Sequence, residues 1–412
     1  MANTPVTKRQ CALEITHRLQ SHGFQAFWAG GCVRDQLLGI EPKDYDIATS
    51  AKPDEIRKLF PHSQLVGAAF GVIIVRRHHY ATEVATFRTD GLYRDGRRPE
   101  SVEFATARAD AQRRDFTING MFFDPIREEL IDYVEGRADI TARMIRAIGD
   151  PEHRFAEDHL RMMRAIRFAS RFHFDIEPHT LSAIRRLHDK IKLISRERIG
   201  LELRGLISTP DPLRGVTLLA DAELLGDIWP EKLPGEDIGG ILRNGWMGKL
   251  PSAARFEVYL AALAHDLSSG DGPGAAFWPR LQNQFMLSND EVSTASWISD
   301  RIHELINWRK LTRSRMKRIM ADRRLAGLKE LYFSLCDDAV LREYLAELER
   351  EGVSPEPLIS GEDLIAMGAS PGPDFKRWLN QLYDLQLENA FADKAGALAA
   401  ARRFVSEAEK PR

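Results

Sequence analysis

Hydrophobic positions follow two different rhythms along this chain. Over roughly the first 135 residues the apolar runs are short and alternate with polar positions or turn signals. Gln25–Ala29 is a brief apolar run closed by Gly30-Gly31. Asp44–Ala48 follows the turn residues Glu41-Pro42-Lys43 and reads as a strand. Gly71–Arg76 is rich in β-branched residues and Tyr80–Phe87 alternates, which predicts a hairpin or neighbouring strands. Phe116–Phe123 predicts a further apolar strand, ended by Asp124-Pro125. After about residue 140 the period becomes helical, over Phe155–Phe172, Thr180–Ile194 and Arg198–Ile207. Beyond them strand signals almost vanish, and Pro and Gly clusters at 210–212, 270–274 and 354–361 punctuate helices. The pattern predicts an α+β N-terminal domain, a mixed sheet with helices, followed by an all-helical remainder.

Composition narrows the class without naming it. The chain has 412 residues, 43% hydrophobic and 29% charged, which is ordinary globular usage with material for more than one core. Lys and Arg total 58 against 60 acids, so the net charge of −2 excludes a uniformly basic coat but not local basic patches. The three cysteines, Cys11, Cys32 and Cys336, form no CxxC pair, which argues against a disulfide framework or zinc ribbon. The N-terminus lacks an apolar signal core and reads as a helix. No apolar run approaches the ~20 residues needed to span a bilayer, so no membrane partner is expected and the cytoplasm is the expected location. No internal repeat and no obligatory protein partner is evident.

The densest chemistry lies in Trp28–Thr49, WAGGCVRDQLLGIEPKDYDIAT. In a strand, Asp44 and Asp46 would point to one face. Two adjacent carboxylates repel unless a cation lies between them, and Mg²⁺ takes one or two carboxylates together with substrate phosphates. A DxD pair alone is equally at home on a solvated turn. Gly30-Gly31 between strand and helix lets a phosphate approach backbone N–H groups, with Arg34 and Asp35 following in the first turn. Glu83, on the alternating strand, is a third carboxylate candidate or simply a solvated strand residue.

Together GGCVRDQLLG and DYDIAT resemble the signature of the polymerase-β nucleotidyltransferase superfamily, and within it the bacterial class II CCA-adding tRNA nucleotidyltransferases and their poly(A) polymerase relatives. Glu83–Phe104, RRDFTING (Arg113–Gly120), EDHLRMMRAIRFASR (Glu157–Arg171) and GEDLIAMGASPGP (Gly361–Pro373) match in the expected order. The match is close over about the first 200 residues and loose over about 205–350. Gly120 departs from it, standing where the family more often has alanine.

The resemblance implies a catalytic head over 1–138, a helical neck over 139–205, a helical body over 206–345 that binds tRNA, and a helical tail over 346–412. It implies addition of C and A to the tRNA 3′ end from CTP and ATP by two-metal chemistry with Mg²⁺, releasing pyrophosphate. A poly(A) polymerase, a CC-adding or an A-adding specialist are the alternatives. Phe70-Gly71-Val72 looks more like the tRNA enzymes than the poly(A) relatives. Asp44 and Asp46 are implied to hold metal, with Glu83 completing the catalytic set. Gly30, Gly31 and Arg34 are implied at the nucleotide phosphates, and Arg114 and Asp115 at sugar or phosphates. Asp158 and Arg161 read the base, and Arg164 and Arg167 support the triphosphate or that pair.

The residues agree with the base-reading role. As i,i+3 neighbours on one helix, Asp158 could accept from an exocyclic amine while Arg161 donates to a ring acceptor. Cytosine and adenine offer both groups side by side. Residues 88–100, with two glycines and several arginines, suit an element closing over substrate or a plain exposed hairpin loop.

Trp308–Arg324 carries eight basic residues against Asp322. That local charge makes Arg309, Arg313, Arg315, Lys317 and Arg318 candidates for the tRNA backbone, or else a solvated helix face. His265-Asp266 resembles an HD phosphohydrolase pair but lacks upstream histidines, and it is expected to be an ordinary helix end.

Overall fold

A computed structural model describes residues 6–66, 71–90, 102–235, 237–268, 272–370 and 372–408. Most of the expected closing loop, and Phe70 of the Phe70-Gly71-Val72 cue, lie outside the described residues. The chain divides into two compact units. The first contains Met1–Gly240 and Pro279–Leu287, the second Ile241–Trp278 and Ser288–Arg412.

The first unit opens with α1 (Lys8–Ser21), started by a capping box in which Thr7 and Gln10 exchange side-chain and backbone hydrogen bonds. Its buried Cys11, Ala12, Ile15 and Leu19 recur at helical spacing and face a sheet. The strands are β1 (Ala26–Ala29), β2 (Asp46–Thr49), β3 (Ser63–Leu65), β4 (Val72–Arg77) and β5 (Tyr80–Thr86). A separate short pair, β6 (Arg88–Asp90) and β7 (Val102–Phe104), follows, and β8 (Phe122–Asp124) and β9 (Glu129–Ile131) return to the main sheet. Its order is β3-β4-β5-β2-β1-β8-β9. β2 and β5 run parallel and the other neighbours antiparallel, so the sheet is mixed as expected.

Both faces of the central strands are covered. Trp28, Ile47, Ile73 and Val84 pack with α1, while Phe27, Ala29, Ala48, Phe87 and Phe122 form a second cluster with Ala107 and Ala111 of α4 (Ala107–Gln112). Asp46 pairs in register with Ala29 and so lies at the edge of that second face. Gly31–Leu37 forms α2, directly after β1. Two local expectations change here. Asp44 precedes β2 instead of belonging to it, so the carboxylate pair straddles the strand start. Phe116–Met121 is not a strand: Thr117–Asn119 is a 3₁₀ turn, and extended backbone resumes only at Phe122. Around that turn the room at Gly120 is already filled, since a Cβ there would lie 2.7 Å from Val134 and 2.9 Å from Ile148.

The rest of the first unit is mostly helical, with α5 (Gly136–Ala142), α6 (Pro151–Glu157), α7 (Leu160–Phe172), α8 (Pro178–Leu187) and α9 (Arg196–Ile207) followed by helices at Pro212–Asp221 and Leu224–Ile228. The expected all-helical neck also contains a short parallel strand pair, Met144–Ile145 with Asp175–Ile176. The sequence predicts one continuous helix over Phe155–Phe172, but the chain breaks at Asp158, which is extended at φ −152°. Asp158 Oδ1 instead accepts the backbone N–H of Leu160 at 3.1 Å, opening a new helix. This corrects the expectation that Asp158 and Arg161 share one helix.

Among its described residues the second unit is helical, with Phe256–Asp266 buried at its centre and a separate cluster of Leu364, Leu382, Ala397 and Ala401 in the tail. Asp266 accepts the backbone N–H groups of Trp246 and Met247, both at 2.8 Å, and the His265 ring stacks on Trp246. The pair serves a turn, as expected of a helix end.

Four of the five cationic candidates are paired with acids. Arg315 makes a bidentate pair with Glu304 at 2.7 Å, Arg318 pairs with Asp384 at 2.5 Å, and Arg313 pairs with Glu351. Lys317 is buried and lies 3.3 Å from Glu351. Arg309 alone of the five candidates is mostly exposed, with Asp338 only at 4.0 Å. The neutralising acids sit on other helices, so a local count of charge could not see them. Among the described residues no helix is long and apolar enough to cross a membrane.

Gly200 of α9 shows how the distant segment 279–287 joins the first unit. A Cβ built there would sit 1.9 Å from the Phe285 carbonyl oxygen. Gly200→Ala should therefore force the two backbones apart and destabilise the first unit by about 1–3 kcal/mol. Chemical denaturation of the full chain measures this, and an unshifted midpoint would refute the close approach.

Candidate functional site

Between the sheet and α7 the first unit opens a cavity of about 550 Å³. Its lining includes eight arginines, Arg34, Arg113, Arg114, Arg161, Arg164, Arg167, Arg171 and Arg198, against the aspartates Asp46, Asp115 and Asp158. Of the expected site residues, Gly30, Gly31, Arg34, Asp46, Arg114, Asp115, Asp158, Arg161, Arg164 and Arg167 all line it; Asp44 and Glu83 do not.

Gly30 closes β1 with φ +67°, and a Cβ there would lie 2.8 Å from Arg114 Nη1. Only glycine both takes that dihedral easily and lets the guanidinium approach. Arg114 is held by donating to Asp110 Oδ2 at 3.0 Å and to the Asn119 carbonyl at 3.3 Å. Arg34 is buried, with Nε and Nη2 on Asp35 Oδ1 at 2.8 and 2.6 Å and Nη1 on Asn119 Oδ1 at 2.6 Å.

Asn119 in turn donates to Asp115 Oδ1 at 3.0 Å, and Arg164 closes a bidentate pair on Asp115 Oδ2 at 2.9 and 2.6 Å. Burial alone would raise the Asp115 carboxyl, but the Arg164 guanidinium and the Asn119 amide outweigh it and hold it down at about 2. Arg167 donates to Glu202 of α9 at 2.6 Å. Four guanidinium groups, those of Arg34, Arg164, Arg167 and Arg171, lie against the rings of Phe168 or Phe172.

The two expected base readers are each tethered. Arg198 Nη2 donates to Asp158 Oδ2 at 2.6 Å. Arg161 pairs with Glu157 and donates to the Arg154 carbonyl at 3.0 Å. They do not bond to each other, so both present polar edges to the cavity from fixed positions.

At the sheet edge the electrostatics reverse. Asp46 keeps solvent access at the start of β2, but partial desolvation by the surrounding protein raises its carboxyl to about 6, helped by repulsion from Glu83 and Asp44 and opposed by Arg114. Glu83 lies beside Asp46 because β2 and β5 are parallel with Ile47 opposite Val84. Asp44 is exposed, and the Lys8 ammonium sits 2.8 Å from its Oδ1 while also donating to the Lys43 carbonyl at 2.7 Å. Among the described residues no three His, Cys, Asp or Glu side chains gather closely enough to enclose a metal by themselves. A crowded carboxylate with a raised pKa, and a neighbour that already attracts a cation, nonetheless fit a hard divalent ion that takes one or two carboxylates and fills its shell elsewhere.

Arg113, Asn119, Leu160, Phe168, Arg171 and Arg198 also line the cavity and were not among the expected site residues. Arg171 was legible, one turn beyond Arg167 on the same helix. Arg198 lies 40 residues from its partner Asp158, and no local pattern could pair them.

The raised Asp46 pKa has a consequence for stability. A carboxyl near 3.8 in the unfolded chain and near 6 when folded disfavours the ionised form in the fold. The penalty is absent below the unfolded value, grows as pH rises through the folded one, and is complete at neutral pH. Asp46→Asn should therefore raise the melting temperature of metal-free protein above pH 6, by about 1–2 °C because solvent screens the carboxylate. The gain should vanish near pH 4, and a gain independent of pH would contradict the crowding.

Comparison with known proteins shows the family. Residues 26–146 match the Poly A polymerase head domain family, and residues 173–232 match the probable RNA and SrmB-binding site of polymerase A. The CCA-adding enzyme of Levilactobacillus brevis is 30% identical over 407 residues, 95% of this chain and 97% of that one. The CCA-adding enzyme of Geobacillus stearothermophilus is 44% identical over 216 residues, about half of each chain. The crystal structure of the Bacillus stearothermophilus CCA-adding enzyme in complex with CTP superposes with a TM-score of 0.79 at 30% identity, covering 97% of this chain and 99% of that one. With near-complete coverage at that identity, this chain belongs to the class II CCA-adding enzyme and poly(A) polymerase family of nucleotidyltransferases.

Proposed function

We propose that this chain builds the CCA end of tRNA, adding C and A to the 3′-hydroxyl from CTP and ATP without a nucleic-acid template and releasing pyrophosphate. The observation that carries this reading is the single cavity in which tethered Asp158 and Arg161 share a lining with Asp46 and a surplus of guanidinium groups. A nucleoside triphosphate brings several negative charges, and seven of the eight lining arginines meet it as guanidinium groups already aimed by Asp35, Asp110, Asp115, Glu157, Glu202 and Asp158, so they offer oriented N–H donors more than a large net charge. Its base then meets an acceptor, Asp158, and a donor, Arg161, held by Arg198 and by Glu157. Cytosine and adenine satisfy both groups. Uracil and guanine present a carbonyl where the amine should be, leaving Asp158 facing another acceptor.

We assign Asp44 and Asp46 to a divalent metal, Mg²⁺ by the hardness of the oxygen donors, with Glu83 supporting the catalytic set from β5. When bound, the metal lowers the pKa of the attacking hydroxyl and offsets charge on the departing pyrophosphate. The chain's own residues do the rest. Arg34, Arg114 and Arg164 are fixed by Asp35, Asp110 and Asp115 before substrate arrives, so little reorganisation accompanies phosphate binding. We place the expected head (1–138) and neck (139–205) in the first compact unit and the tail (346–412) in the second. Arg309 is the exposed member of the basic set left for RNA contact. With tRNA and free nucleotides as substrates, the reaction belongs in the cytoplasm.

A transfer assay tests the reading, using a tRNA transcript that ends at the discriminator base, with Mg²⁺ and product sizing at one-nucleotide resolution. Three additions with CTP and ATP together, and two with CTP alone, are expected. Two additions under both conditions would indicate a CC-adding specialist. A single A, placed only on a transcript ending in CC, would indicate an A-adding one, and a long A ladder a poly(A) polymerase. Asp46→Ala should abolish incorporation while the circular dichroism spectrum stays unchanged, and substantial residual activity would overturn the metal assignment. Asp158→Ala should raise the use of UTP and GTP relative to CTP and ATP, by about tenfold or more if one unmatched acceptor is removed. Unchanged selectivity would reject the base-reading role.

A further inference from the structure

The eight cavity arginines are not equally committed. Seven have a carboxylate oxygen at 3.0 Å or closer: Arg34 on Asp35, Arg113 and Arg114 on Asp110, Arg161 on Glu157, Arg164 on Asp115, Arg167 on Glu202 and Arg198 on Asp158. Arg171 differs. Its Nη2 is 3.7 Å from Asp35 Oδ2, beyond a hydrogen bond, while Arg34 engages the other oxygen of Asp35 with two of its own nitrogens. Its side chain is one-third exposed, whereas that of Arg34 is 6% exposed. The guanidinium rests over the Phe172 ring at 5.0 Å, a support that holds its place without a fixed hydrogen-bond geometry.

Arg171 also has a defined position along the site. Arg161, Arg164, Arg167 and Arg171 follow one another on one stripe of α7. At 1.5 Å per residue, Arg171 lies ~15 Å along the axis from the base reader Arg161. It meets there the buried Arg34–Asp35 pair of α2. On the proposed function, a nucleotide whose base is read at the Arg161 end has the length of this stripe of guanidinium groups available for its phosphates.

Resting on the function proposed above, we propose that Arg171 is the movable clamp of the nucleotide's terminal phosphates. It leaves its loose contact with Asp35 when a triphosphate enters and returns to it when pyrophosphate departs. The pre-paired arginines shape the pocket, and Arg171 supplies the charge that recognises the leaving group. It reads phosphate, so it acts equally on CTP and ATP.

Steady-state kinetics of Arg171→Ala and Arg171→Lys, together with calorimetric titration of inorganic pyrophosphate into each protein with Mg²⁺, test this. Arg171→Ala should raise KM for CTP and ATP alike by about tenfold and weaken pyrophosphate binding by a similar factor. Arg171→Lys should recover part of both, the KM for tRNA and the discrimination against UTP and GTP should not change, and the melting temperature should stay within a degree or so. Unchanged KM and pyrophosphate affinity would overturn the clamp. A rise in the tRNA KM alone would overturn it in favour of an RNA contact. Equal losses in the alanine and lysine variants with a lowered melting temperature would overturn it in favour of a purely structural role. Failure of the underlying reading would show separately, as wild-type protein that adds neither C nor A.

Discussion

The site depends on a buried carboxylate. Asp115 accepts from Asn119 and from both nitrogens of one edge of Arg164, and Asn119 passes the connection on to Arg34. Through this chain of charge-assisted hydrogen bonds α2, the Thr117–Asn119 turn and α7 keep fixed relative positions. Removing Asp115 would leave the partly buried Arg164 without its principal counter-ion, and breaking such a pair costs more than the pair contributes over a neutral replacement. Its value lies in orientation. A guanidinium that is already desolvated and aimed needs little reorganisation when a phosphate arrives.

Two carboxylates within one cavity are driven in opposite directions. Asp115 sits among cations and is held at about 2, while Asp46 sits beside Glu83 and Asp44 and is raised to about 6. The same residue type is thereby a permanent anion in one place and a strained one in the other. The first anchors arginines; the second favours an added cation. The separation follows from topology, because the parallel register of β2 and β5 sets Glu83 beside Asp46 while α7 delivers Arg164 to Asp115.

Several features were legible from residue order. The glycine pair, the Arg34-Asp35 step, the DxD spacing and the arginine stripe of 161–171 each depend on neighbours within a few positions, and local geometry preserves such relations. Expectations changed where a side chain met a distant partner or a competing local bond. Asp158 looked like a helix residue because apolar spacing runs through it, yet its carboxylate caps the next helix and leaves the backbone extended. The TIN segment looked like a strand by its apolar run, but its side chains are buried around a turn. The basic stretch after Trp308 looked like an open phosphate-binding face, and acids from three other helices neutralise most of it.

Sequence alone determined the fold class, the family resemblance and ten of the sixteen residues that line the cavity. Each of these follows from hydrophobic period or from short motifs whose members travel together. The tertiary structure decided which groups are free. It tied Asp158 to Arg198, committed seven arginines to close partners and left Arg171 loosely held. Availability of charge is a property of pairs. Arg34, Arg113, Arg114 and Arg161 find acids within four positions, but the pairs of Arg164, Arg167 and Arg198 and the loose contact of Arg171 join residues tens of positions apart. Their distances are set by how helices pack on a sheet, which no local pattern encodes.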